Sequence, residues 1–129
     1  MSLEQFSMTT GATLCALLMY FWVTVRAGAA RGKYKVPAPA ITGAPEFERA
    51  FRVQQNTLEQ MMLFLPSLWL FAALIGDRWA GIAGLVWVVG RIAYAVGYAQ
   101  AAEKRSAGFI ISMLASLVLL IGAIVGWFI

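Results

Sequence analysis

No histidine occurs in this 129-residue chain. That absence excludes Ser-His-Asp and Cys-His catalysis, imidazole proton shuttling, and zinc or haem held by imidazole. Cys15 is the single cysteine, so an intrachain disulfide and any Cys₂ or Cys₄ metal site are excluded too, and no metal is expected. Charge is scarce: Asp, Glu, Lys and Arg make up 12% of the residues, against about 25% in soluble domains. Apolar residues make up 61%, which leaves too little polar surface to dissolve the chain, so the sequence reads as an integral membrane protein. Any chemistry falls to Arg, Tyr, Asn, Glu, Ser or a bound cofactor. The net charge of +4 is explained first by orientation in a bilayer, and no nucleic-acid partner is expected.

A bilayer core roughly 30 Å thick needs about 20 helical residues. Residues 5–25 and 107–129 are uncharged runs of that kind. A cleaved signal peptide competes for the first, because Ala27-Gly28-Ala29 offers small residues for cleavage. Its leading residues carry Glu4 and no Lys or Arg, and the apolar run is long, so a retained helix is expected. The apolar run at 61–75 is shorter: at about 1.5 Å per residue it covers only ~22 Å. The helix must extend backwards to Asn56 and Arg52, which draws Asn56 and Glu59 to membrane depth. Residues 79–102 are long enough to cross, yet Arg91 stands near their centre.

The expectation is an all-α, integral membrane four-helix bundle of up-down topology. It forms one domain over residues 1–129, with spans at about 6–26, 47–75, 79–102 and 106–128. The first connection is basic (Arg26, Arg31, Lys33, Lys35), the second is a tight Gly76-Asp77-Arg78 turn, and the third is Glu103-Lys104-Arg105. By the positive-inside rule the first and third loops are cytoplasmic and both termini lie opposite. The short chain, with no tail or retention motif, points to a bacterial inner membrane.

Charged groups within a bilayer face a protein interior or a water-filled cavity and are functional candidates by default. At about 100° per residue, Glu48, Arg52, Gln55, Asn56 and Glu59 share a sector of span two, and Arg91, Tyr94, Tyr98 and Arg105 share one of span three. Two polar stripes ending near basic loops suggest a pocket between helices or between subunits. Arginines suit carboxylates or phosphates, Glu59 suits an ammonium, and Asn56 with Gln54 or Gln55 suits peptide groups. A short acidic peptide fits this inventory better than a lipid head group. Competing readings are structural. Interfacial snorkelling accounts for Arg49, Lys33, Lys35 and Lys104 and applies to Arg105, while Glu59 or Glu48 is the expected partner of Arg91.

The spacing Glu48-Arg49, Arg52, Asn56, Glu59 resembles the signature of the MAPEG family, the membrane-associated proteins in eicosanoid and glutathione metabolism. The segment from Gly90-Arg91 through Tyr94 and Tyr98 to Arg105 resembles the family's span-three motif. The resemblance implies a homotrimer with glutathione as co-substrate between subunits at the cytoplasmic side. It places Arg31, Arg52, Gln54, Asn56, Glu59, Arg91, Tyr94 and Tyr98 on glutathione-contacting positions and Arg105 on the thiolate. Gln60 stands where some members carry Tyr, and Ser106 follows Arg105 as in an Arg-Ser pair known in the family. The implied function is a glutathione transferase, conjugating glutathione to a hydrophobic electrophile that arrives through membrane lipid, or reducing lipid hydroperoxides with it. The alternatives are a non-catalytic ligand-binding scaffold of the same family and a small multidrug exporter. The exporter depends on a carboxylate in its first span, where only Glu4 is present.

Overall fold

The computed structural model describes residues 2–129. Four long helices follow one another: α1 (Ser7–Tyr34), α2 (Pro45–Leu74), α3 (Asp77–Gln100) and α4 (Ser106–Phe128). Each is long and apolar enough to cross a bilayer. Single 3₁₀ turns precede α1 (Leu3–Phe6) and α4 (Ala102–Arg105). α2 and α3 each pack on all the other helices, with α1 and α4 at the two flanks of an up-down bundle.

The helix ends follow from local chemistry. α1 continues to Tyr34, about two turns past the uncharged run, because Ala27 to Ala30 are helix-compatible and Arg31 and Lys33 complement the negative end of its dipole. It stops at Lys35, whose left-handed backbone (φ 55) sends its N–H back to the Arg31 carbonyl. α2 opens on Pro45, which lacks the N–H that a first helical residue leaves unpaired, and carries Glu46 and Glu48 in its first turn. Pro66 lies within α2, where it removes one intrahelical hydrogen bond, a break that membrane helices tolerate. The turn to α3 needs glycine, since Gly76 has φ 152.

Asp77 in that turn caps α1, a helix on the far side of the sequence. Its Oδ1 accepts from the Thr9 N–H at 2.8 Å and its Oδ2 from the Met8 N–H at 3.1 Å. These are N–H groups that the first turn of a helix leaves without intrahelical acceptors. We expect Asp77→Ala to cost about 1 kcal/mol, as for other lost caps. Hydrogen exchange should speed at the Met8 and Thr9 amides while the centre of α1 stays protected. Unchanged exchange at both amides would refute the capping role.

The interior combines an apolar core, with Phe47, Phe64, Leu68, Trp87 and Leu119 buried, with polar side chains, and the outside is apolar too. Thr9, Thr57, Ser67, Arg91, Ser112 and Ser116 are buried, whereas Leu18, Phe21, Met62 and Val118 face outwards. Lipid solvates apolar side chains without penalty, so packing and interhelical hydrogen bonds, not hydrophobic burial, hold such a bundle. The centre is a parallel stack of Phe64 on Trp87, with centroids 4.0 Å apart. Trp79 and Trp127 lie exposed near helix ends, as interfacial anchors do.

Candidate functional site

The polar face of α2 begins with its first turns, before the apolar run. At about 100° per residue Arg52, Gln55, Asn56 and Glu59 stay within one sector. On α3, Tyr94 and Tyr98 are one turn apart, their rings edge-on at 5.5 Å. These six residues and Arg105 line one hollow of about 390 Å³, within the range of small-molecule sites.

Arg105 reaches the hollow by a route that helical phase did not anticipate. α3 ends at Gln100, and Ala101 is extended (φ −164, ψ 146), so Arg105 does not continue the α3 stripe. A 3₁₀ turn brings it back instead. Its Nη1 donates to the Ala102 carbonyl at 2.8 Å, and its guanidinium carbon lies 5.4 Å from the Tyr98 ring centroid. Two glycines permit the return. A Cβ on Gly97 would overlap the Lys104 carbonyl, and one on Gly108 would overlap the Tyr94 backbone. α4 starts at Ser106 with no side-chain cap, so its first N–H groups add a positive helix end beside Arg105.

Arg91 lies beneath the hollow, fully buried at 0% exposure. Its Nη2 donates to Asn56 Oδ1 at 2.8 Å and to Thr57 Oγ1 at 2.9 Å, and its Nη1 is 3.5 Å from Ser112 Oγ. The guanidinium carbon sits 4.1 Å from the Tyr94 ring centroid. The expected carboxylate partner is therefore corrected to neutral oxygens from α2 and α4. Glu59 faces the hollow, and Glu48 accepts from the Gly43 N–H at 3.0 Å at the start of α2. Arginine has no acceptor, so the Asn56 atom against it must be oxygen. The Asn56 NH₂ is left as a donor for the hollow.

Two expected residues lie elsewhere in the chain. Arg31 clips the first loop, donating through Nη1 to the carbonyls of Ala40 (2.7 Å) and Val36 (3.3 Å), with its guanidinium over the Phe47 ring at 5.0 Å. Gln54 sits about 160° round α2 from Arg52. The structure thus gathers Arg52, Asn56, Glu59, Tyr94, Tyr98 and Arg105, sets Arg91 below them, and leaves Arg31 and Gln54 outside. Gln55 takes the lining position. Thr57, Ser112 and the glycines were not singled out by sequence; small residues in membrane helices were the available signal.

The charges that line the hollow are two guanidiniums and one carboxylate. Such a lining, rich in donors and closed on one side by tyrosine rings, suits a zwitterion with excess negative charge. The model of the MAPEG family matches residues 9–125. An uncharacterized protein of Synechocystis is 51% identical over 112 residues, 87% of this chain and 82% of its own. Human microsomal glutathione S-transferase 2 is 43% identical over 104 residues, 80% of this chain and 71% of its own. Bovine leukotriene C4 synthase is 34% identical over 104 residues, 81% of this chain and 69% of its own.

Proposed function

The chain belongs to the MAPEG family, and from that premise we propose that it is a membrane-bound glutathione transferase. The observation that carries the reading is the joint lining of one hollow by Arg52, Asn56, Glu59, Tyr98 and Arg105. Glutathione brings two carboxylates, an ammonium, two peptide groups and a thiol. Arg52 suits a carboxylate bidentately, Glu59 the ammonium, and Gln55 with the free Asn56 NH₂ the peptide groups. Arg105 then meets the sulfur. The names of the transferase and synthase relatives support this assignment, and with it membrane glutathione chemistry at this site.

Arg31 and Gln54 enter the same reading through assembly. Neither lines the hollow of its own subunit, so a neighbouring copy that presented its α1–α2 side to the open hollow would supply both. This supports a homotrimer with glutathione held between subunits. Arg52 and Arg105 sit at the end of the bundle that carries the basic first and third loops, which by the positive-inside rule supports a site open to the cytoplasmic face. The Synechocystis relative supports a bacterial membrane. The family match, nearly end to end, supports a single MAPEG domain over 1–129.

Arginine stays protonated, so Arg105 acts as a fixed electrostatic stabiliser of the thiolate and not as a base. The thiolate attacks an apolar electrophile arriving from the bilayer: a carbon–sulfur bond forms, and the leaving group departs with its electron pair. With a lipid hydroperoxide, the thiolate attacks the outer peroxide oxygen, which breaks the O–O bond and leaves the lipid alcohol and a sulfenic acid on glutathione; a second glutathione then displaces water from that sulfur to give the disulfide.

The reading is tested by titrating detergent-solubilised protein with glutathione at pH 7. We expect ultraviolet absorbance of the thiolate to grow to saturation, with about 0.7 proton released per site filled. Binding without thiolate or proton release would overturn the catalytic reading and favour the family's scaffold role; no binding would overturn the glutathione site itself.

A further inference from the structure

A second set of hollows runs along α1, one on its seam with α3 and one between α1 and α2 with Ala99 of α3 behind, and none of their residues lines the hollow described above. Near mid-depth, Cys15, Leu18, Met19 and Trp22 of α1 and Val88 and Ile92 of α3 enclose an apolar groove of about 450 Å³. Its rims are open outwards: Leu18 is 70% and Ile92 42% exposed. One turn beyond Trp22, towards the basic loops, lies a hollow of about 350 Å³ walled by Arg26, Lys33, Tyr34 and Glu46. Small side chains from three helices, among them Ala29, Ala50 and Ala99, leave that space empty. Arg26 joins the two. Its guanidinium carbon lies 4.8 Å from the Trp22 ring centroid, and its N–H donors have no acceptor among the described residues.

We propose that this seam is a binding site for a phospholipid with an anionic, hydroxyl-bearing head group. The phosphate sits against Arg26 and Lys33, and one acyl chain lies along the groove from Trp22 to Cys15. Dimensions and charge carry the assignment. From Arg26 to Cys15 the groove runs about 17 Å at 1.5 Å per residue, close to the roughly 15 Å of hydrocarbon in one leaflet. Arg26 therefore falls where the phosphates of that leaflet lie. Positive-inside orientation explains the sign of Arg26 and Lys33; it does not explain why Arg26 sits on an aromatic ring at the mouth of a groove whose far half is apolar. Glu46 on the α2 wall accepts a hydroxyl of the head group. The two cations outnumber that carboxylate, so an anionic lipid is favoured. The proposal is independent of the glutathione reading, since no residue is shared between the two sites.

The test is native mass spectrometry of the delipidated protein, in the oligomeric state in which it is purified. It is titrated with phosphatidylglycerol or phosphatidylcholine of identical chains. About tenfold tighter retention of phosphatidylglycerol is expected, from roughly 1 kcal/mol per well-placed cation near a head group. In Arg26→Gln/Lys33→Gln the two lipids should bind alike. Ala29→Leu keeps both cations but fills the hollow from an exposed position, and it too should abolish the preference. Retained oligomeric mass and helical circular dichroism serve as the folding control for both variants. Equal retention by the wild type would overturn the proposal. So would a preference that survives Ala29→Leu, which would make the attraction a diffuse surface charge. Competition by glycerol phosphate at concentrations equal to the lipid would reassign the hollow to a soluble phosphate and overturn the lipid.

Discussion

Arg105→Leu should erase the thiolate signal of bound glutathione at pH 7 while leaving the assembly intact. A free thiol with pKa about 8.5 is only about 3% ionised at pH 7, whereas one held near 6.5 is about 75% ionised. That difference requires about 2.7 kcal/mol of preferential stabilisation of the charged form. One guanidinium within reach of the sulfur, in a site of reduced dielectric and beside the positive end of α4, is of the right size to provide it. The thiolate absorbance should therefore fall by roughly 25-fold. The rate falls less from ionisation alone, because a thiolate of higher pKa is also the better nucleophile. With a Brønsted slope near 0.4–0.5, the two effects leave only about a threefold loss. Any larger drop in turnover reports lost positioning. The sign also fixes the pH behaviour: in the variant the thiolate recovers as pH rises through about 8.5. Arg105 is exposed and bonded only to the Ala102 carbonyl, so its removal leaves no buried partner unsatisfied. A variant that binds glutathione with an unchanged thiolate signal would remove Arg105 from the role.

The bundle was legible because membrane depth imposes its own arithmetic. The shortness of the apolar run at 61–75 forced α2 backwards through Glu59 and Asn56, and α2 indeed starts at Pro45. The polar faces of α2 and α3 followed from period alone. Arg105 shows where period fails: it shares a hollow with Tyr98 because Ala101 breaks α3 and Gly97 admits the Lys104 carbonyl, and a turn between helices has no phase to extrapolate. Arg91 shows a different limit. Charge counting sought a carboxylate for it, but hydroxyl and amide oxygens from neighbouring helices serve a buried guanidinium, and Thr57 and Ser112 are too common to stand out in a sequence. Arg31 and Gln54 mark a third limit, since spacing in the sequence does not reveal that a single chain keeps both out of the hollow. The cap from Asp77 to α1 was illegible for a related reason, as capping is usually sought next door in sequence.

Arg91→Leu should weaken glutathione binding by about 10- to 100-fold without unfolding the bundle, because Arg91 acts through Asn56. The residue is at 0% exposure, so a ligand in the hollow meets Asn56 and not the guanidinium. Charge-assisted bonds at 2.8 and 2.9 Å hold Asn56 Oδ1 and Thr57 Oγ1 inwards, which turns the Asn56 NH₂ to the hollow. Without them the amide is free to rotate and present either end, and a peptide group of the ligand left unpaired in the hollow costs roughly 1–3 kcal/mol. The bundle should stay folded at a modest cost in stability. The buried Thr57 hydroxyl loses its donor, at about 1–3 kcal/mol, and the desolvation cost of the buried guanidinium, which leucine removes, offsets part of that. The decisive measurement is a double-mutant cycle on glutathione affinity. If Arg91 works through Asn56, then Asn56→Ala/Arg91→Leu should bind no worse than Asn56→Ala alone. Additive losses would instead mean that the Arg91 charge acts on the ligand directly. Normal affinity in a poorly assembling Arg91→Leu protein would reduce Arg91 to a bolt between α2, α3 and α4.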